Sequence, residues 1–281
     1  MPGLWAVRQS VYSPAMSAPV LYDFAALVAL LPAGLRAWRG GAARDAVFWL
    51  LLGVALAGVL VALRPLSAGQ WDAGLSTAVW ATLFVVLALF AGLAAVSAAG
   101  ARLAPLLFPY AVLLGAIATL GGLMPARAVP GGGPGGWLAV HIAMSVTTYG
   151  LVTLAALAGL AVTLQERALK GKRPGGLSRR LPAVADGDSL RRRLLAAGGA
   201  VLAVGVLSGM GLEYFRSGEV LSFDHKTLFA LLALLVIGAL LAADRIGAVR
   251  GQRAARLALT AWLLLTLAYP GVKFVGEFLV G

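Results

Sequence analysis

Residues 137–170 read WLAVHIAMSVTTYGLVTLAALAGLAVTLQERALK. From Trp137 to Leu164 the stretch carries no formal charge, and it closes on Glu166, Arg167 and Lys170. A helix needs about 20 predominantly apolar residues to cross the hydrocarbon core of a bilayer, so 137–164 is long enough. Nothing in it alternates with period two, and a bilayer admits only helices or closed barrels. The stretch therefore reads as a transmembrane helix with a charged tail outside the core.

The whole chain supports that reading. Of its 281 residues 60% are hydrophobic and 12% charged, against about 25% charged in soluble domains. Mean hydropathy is +0.91. An amphipathic surface binder would keep a continuous polar face, which these runs lack. Eight stretches satisfy the length requirement, near 17–35, 46–63, 76–98, 103–123, 137–164, 194–213, 227–243 and 257–278. The fold expected is an all-α integral membrane protein, a bundle of eight transmembrane helices in a single membrane domain, with both termini outside.

Charge sets the orientation. Cytoplasmic loops are enriched in Lys and Arg. Alternating the spans gathers the basic residues of 36–45, 99–102, 165–193 and 244–256 on one side. Of the 23 Lys and Arg, only Arg8, Arg64, Arg127, Arg216, Lys226 and Lys273 fall on the other. The richer side is expected to be cytoplasmic, with 165–193 as its basic cytoplasmic loop. A multi-pass protein of the bacterial inner (cytoplasmic) membrane follows. The opening MPGLWAVRQSVYSPA does not have the form of a cleavable signal, and Met16 is an alternative to Met1 as the start.

Several classes of function drop out. The chain has no cysteine, which removes disulfides, thiol chemistry, iron–sulfur ligation and cysteine-based zinc sites. No zinc-finger, Rossmann or phosphate-loop pattern supports nucleic-acid or nucleotide binding. Neither histidine has a neighbouring serine with an oxyanion loop. No inverted repeat or pair of broken helices suggests a transporter.

The two histidines are the candidate site. His141 lies near the outer end of the fifth span and His225 at the outer end of the seventh, so both are expected on one face at similar depth. Two facing imidazoles can ligate haem iron axially. Trp137, four residues before His141, shares its helical face and can cover a porphyrin plane. Arg127, Arg216 or Lys226 can pair with propionates. The plainer alternative is that each histidine is an amphipathic side chain at headgroup level. A zinc site would need Asp224 or Glu219 as further ligands, and Glu213 is a candidate to orient His225 through a hydrogen bond.

Other features carry blander readings. Asp23, near the outer end of the first span, is expected to snorkel. Gly205 and Gly209 form a Gly-x-x-x-Gly pair suited to close helix packing. The Gly/Pro-rich run 124–137 reads as a connector.

The stretches at 137–170, KRPGGLSRRLP at 172–182, FDHKTLFALLALLVIGALL at 223–241 and VRGQRAARLALTAWLLLTLAYPGVKFVGEFL at 249–279 resemble the cytochrome c assembly family of the CcsA/CcmC type. Within it the chain looks most similar to the YpjD/HemX-like inner-membrane branch. The resemblance implies haem handling, with His141 at the position of an external haem ligand. The family's tryptophan-rich external segment ends in Trp-Asp-Pro-Lys-Glu. Here GLEYFRSGEVLSFDHKT at 211–227 keeps Asp224 and Lys226, puts Phe223 for the last tryptophan, and His225 for proline. A further family histidine meets Ala242 or Ala243.

These departures imply a haem-binding relative lacking the platform of a haem-attachment enzyme. The expected site is therefore haem b, its iron held by His141 and His225, with Trp137, Phe223, Asp224 and Lys226 around it. No catalytic activity of its own is expected, and the role is cytochrome c biogenesis. Partners would be haem, membrane lipids, and other cytochrome c assembly proteins or a cytoplasmic tetrapyrrole enzyme. The alternative is a non-catalytic membrane regulator or scaffold of a haem-biosynthesis enzyme, acting through the basic segment.

Overall fold

The computed structural model describes residues 18–40, 44–64, 74–123, 135–172, 175–218 and 225–268. Every regular element among them is helical. They are α1 (Ala18–Gly40), α2 (Ala46–Ala62), α3 (Leu75–Val96), the single turn α4 (Ala98–Ala101) and α5 (Ala104–Gly121). Then come α6 (Gly136–Lys170), a 3-10 turn at Ser178–Arg180, α7 (Val184–Ser217), α8 (His225–Arg245) and α9 (Gly251–Thr266).

The chain is thus an all-α, multi-pass membrane protein. Six helices, α1, α3, α5, α6, α7 and α8, are long and apolar enough to cross a bilayer, where the sequence suggested eight spans. The difference lies in length. α2 is apolar throughout but has 17 residues. α9 is described over 16, and Arg253 and Arg256 occupy its first turns.

α6 is the central helix, packed against α7, α9 and α3, with most of its apolar window buried. α8 is peripheral. Trp80, Leu83, Leu87, Phe90 and Phe108 fill the core between α3 and α5. Around the outside, Val28, Leu35, Leu50, Leu60, Leu113, Leu207 and Leu235 stand exposed. So wide an apolar surface fits a hydrocarbon surround, which needs backbone polar groups satisfied internally but accepts leucine freely.

α1 and α2 touch at Gly58, where an added Cβ would fall 2.5 Å from Ala29 Cβ and 3.4 Å from Ala26 Cα. Gly58→Val should therefore lower the thermal midpoint in detergent, by the roughly 1–3 kcal/mol typical of overpacking. Gly53 on the same helix, with nothing within 4 Å, is the control. Equal midpoints for Gly58→Val and Gly53→Val would remove the close contact from the account.

The basic residues gather at one end of the bundle. Arg44 donates to the carbonyls of Ala94 and Ala95 at 3.2 and 3.1 Å, and Arg180 to that of Arg39 at 3.0 Å. These bonds tie together the end of α1, the start of α2, the end of α3 and the segment before α7. Asp45 caps α2, accepting Phe48 N–H at 2.8 Å and pairing with Arg36. That N–H, and then the guanidinium, hold its carboxyl below the ordinary carboxylate range.

Segment 165–193 is a loop over only part of its length. α6 runs to Lys170 and α7 starts at Val184. A helix of 35 residues spans about 52 Å at 1.5 Å per residue, more than the roughly 30 Å hydrocarbon core. Its charged turns therefore project beyond the core as helix. The short connection is pinned by Gln165, whose amide donates to the carbonyls of Ser178, Leu181 and Pro182 at 2.8, 3.3 and 3.1 Å.

Candidate functional site

At the opposite end, α6 opens on Gly135 and Gly136, so Trp137 and His141 fall one turn apart on the same face. That face meets α7. The Trp137 indole N–H donates to both the carbonyl and the hydroxyl of Ser208, each at 3.1 Å. Its ring stands edge-on to Phe215, centroids 5.8 Å apart, and Tyr214 adds a further edge contact at 6.0 Å from Phe215. An added Cβ on Gly211 would lie 3.1 Å from the indole Cζ2.

One turn along, His141 packs on Gly209, where an added Cβ would come within 3.0 Å of the imidazole Cε1. Glycine leaves room for the ring to lie against the α7 backbone. His141 is partly exposed, yet its Nδ1 is buried and has no hydrogen-bond partner. A buried polar atom left unbonded is costly and asks for an explanation. Here the nitrogen makes no hydrogen bond, although the Gly205 backbone lies near the imidazole. The Gly205–Gly209 pair, read from sequence as packing, does bring helices together, and what Gly209 admits is His141.

The other expected members lie partly beyond view. Phe223 and Asp224 fall outside the described residues, as do Arg127 and Glu219. Of His225 and Lys226 the backbone alone is described, as the first residues of α8. Antiparallel packing of α8 on α7 puts that start at the same end as Trp137. Among the described residues no group of three or more His, Asp and Glu side chains is arranged for a metal ion.

Asp23 does not reach outward. It is 6% exposed, accepts Ser76 Oγ–H at 3.1 Å, and packs so closely on Gly122 that a Cβ there would lie 2.2 Å from its Oδ2. The carboxyl is held among α1, α3 and α5 because two small residues make space for it.

Two polar clusters escaped the sequence reading. The first lies inside the bundle, where Tyr110 and Tyr149 hydroxyls are 3.1 Å apart and Tyr149 is 3.2 Å from Thr266 Oγ1. Thr266 donates to the Trp262 carbonyl at 2.9 Å, so it accepts from Tyr149, which accepts in turn from Tyr110. Trp262 N–H donates to Thr153 Oγ1 at 3.1 Å. This chain of satisfied bonds joins α5, α6 and α9.

The second cluster is an ion-pair group at the basic end. Arg191, wholly buried, bonds Asp188 Oδ1 at 2.9 Å and Asp244 Oδ2 at 2.9 Å, and Asp188 also pairs with Arg192. In sequence Arg191 is one of three consecutive arginines within the basic segment 165–193. The signal available was Asp188 three residues earlier, on the same helical face.

Fold and site together define a polytopic helical membrane protein with a histidine packed on its neighbour at one end of the central helix. The chain belongs to the Cytochrome C assembly protein family, whose model matches residues 44–280. It is 47% identical over 271 residues to a protein of Azospirillum brasilense described as an uncharacterized 28.8 kDa protein in the nifR3-like 5′ region, covering 95% of this chain and 100% of that one. It is 27% identical over 161 residues to the cytochrome c biogenesis protein CcsA of Parasynechococcus marenigrum, covering 50% of this chain and 53% of that one. To CcsA of Chlamydomonas reinhardtii it is 26% identical over 143 residues, 50% of this chain and 39% of that protein. The matches to CcsA thus span about half of this chain, and about half or less of those relatives. No solved structure matches the chain.

Proposed function

We propose that this is a haem-binding protein of cytochrome c biogenesis, holding haem b at the outer face of a bacterial cytoplasmic membrane. On this reading the chain crosses the membrane eight times with both termini outside. The end rich in Arg and Lys faces the cytoplasm. One observation carries the site: His141 packs on Gly209 where α6 meets α7, with a buried Nδ1 that makes no hydrogen bond. These residues suit the group. The imidazole would provide a nitrogen for the iron, and Gly209 lets the ring lie close against α7. Trp137, held by Ser208, offers a flat apolar wall.

Bound haem supplies a redox-active iron whose potential depends on its axial ligands. The chain's own part is to bind and orient. His141 and His225 would hold the iron, Trp137 and Phe223 would offer ring contacts, and Asp224 and Lys226 would supply the polar shell. Kinship with the HemX-like branch and the partners named above belong to the same reading.

The test is direct. Protein purified in detergent should show a Soret band and a pyridine haemochrome of b type, and His141→Ala should remove most of both. His225→Ala should leave a five-coordinate signature. A wild type devoid of haem after expression with excess haem precursor, or a Soret band untouched by both substitutions, would reject the site.

A further inference from the structure

We infer that the basic end carries a binding site for the phosphodiester headgroup of an anionic lipid, in the cavity between the end of α6 and the turn joining α8 to α9. The cavity is open and measures about 560 Å³, within the 300–1,000 Å³ common for ligand sites. Its cations are Lys170, Arg250, Arg253 and Arg256, and its one carboxylate is Glu166. None of the four cations makes an ion pair among the described residues, in contrast to Arg36, Arg191 and Arg192. An excess of unpaired positive charge around a concavity is what phosphate oxygens recognise, with guanidinium groups offering paired donors.

The wall is shaped by the backbone as well. Gly247 and Gly251 adopt φ of +69° and +58°, the left-handed region that favours glycine. Gly247 lets the Arg250 guanidinium fold over the turn, where an added Cβ would meet Nη2 at 3.0 Å. Gly251 brings the start of α9 against Glu166, whose Oε1 would lie 2.4 Å from an added Cβ.

The flanks favour a lipid over a soluble phosphate. Leu169 and Ile246, each one position before a lining residue, are 68% and 81% exposed. Apolar side chains left in the open next to unpaired cations match a ligand that is anionic at one end and hydrocarbon at the other.

The test uses full-length protein in nanodiscs or mild detergent. Native mass spectrometry would count bound phosphatidylglycerol against phosphatidylcholine, for the wild type, Arg250→Gln/Arg253→Gln, and Lys172→Gln/Arg179→Gln. The last pair removes equal charge at the same end but outside the cavity. The wild type and the outside pair should retain phosphatidylglycerol, and the cavity pair should bind it about thirtyfold more weakly, two cationic contacts' worth. Unchanged thermal midpoints in both doubles show that folding is not the cause. Displacement by millimolar inorganic phosphate alone, with no preference between the lipids, would reassign the site to a soluble anion and overturn the lipid reading. Equal losses in both doubles, or no preference for phosphatidylglycerol and no phosphate binding, would overturn the site itself.

Discussion

Asp244→Ala is expected to destabilise the protein by about 3 kcal/mol, the low end of the range for stripping a partner from a buried ion pair. Arg191 has 1% of its side chain exposed and Asp244 5%, so removing the carboxylate leaves a guanidinium with little access to water. Asp188 keeps two hydrogen bonds to it, which is why the loss is not larger. The position matters because Arg191 stands where α7 meets α8 and packs over Gly159 of α6, 3.5 Å from an added Cβ. Thermal unfolding in detergent, with exposed and unpaired Asp186→Ala as the control, reads the effect. Surface changes of that kind stay within about 0.5 kcal/mol. Equal midpoints for the two variants would show that the triad does not hold the helices together.

Gly209→Leu is the second large effect, and it bears on function. An alanine methyl would lie 3.0 Å from His141 Cε1, a conflict that a shift of a few tenths of an ångström relieves. Leucine adds three more carbons in the volume of the imidazole itself. Overpacking of this order costs roughly 1–3 kcal/mol and forces side chains off their rotamers, here the His141 imidazole first. Haem occupancy should fall by about tenfold or more, with helix content unchanged. Gly209→Ala should keep its haem with a displaced Soret maximum. Gly205→Ala, whose Cβ would sit 4.0 Å from Met144 Cβ, should behave as wild type. Equal haem content in Gly209→Leu and Gly205→Ala would separate the groove from haem binding.

Hydropathy made the helices legible because a bilayer asks for long uncharged runs and little else. It could not fix their ends, since charged turns can continue a helix past the core, as at Glu166–Lys170 and Val184–Arg193. The place of His141 at the start of α6 was legible as well. Its neighbour was not: a Gly-x-x-x-Gly pair announces a close approach without saying to what, and only the pairing of α6 with α7 names the imidazole. The role of Arg191 was not legible for the opposite reason. One arginine among three looks like solvent charge until tertiary packing brings Asp244, 53 positions away, to it. Asp23 was expected to snorkel, yet Gly122 and Ser76 make a recess that no local pattern around Asp23 reveals.

The central claim is that His141, where α6 meets α7, would hold haem iron. Purified His141→Gly, which leaves an imidazole-sized space, tests it most directly when haem content is measured with and without added imidazole. The account predicts that the Soret band is largely lost in His141→Gly and regained as imidazole enters the space. Wild-type haem content in His141→Gly without imidazole would contradict it.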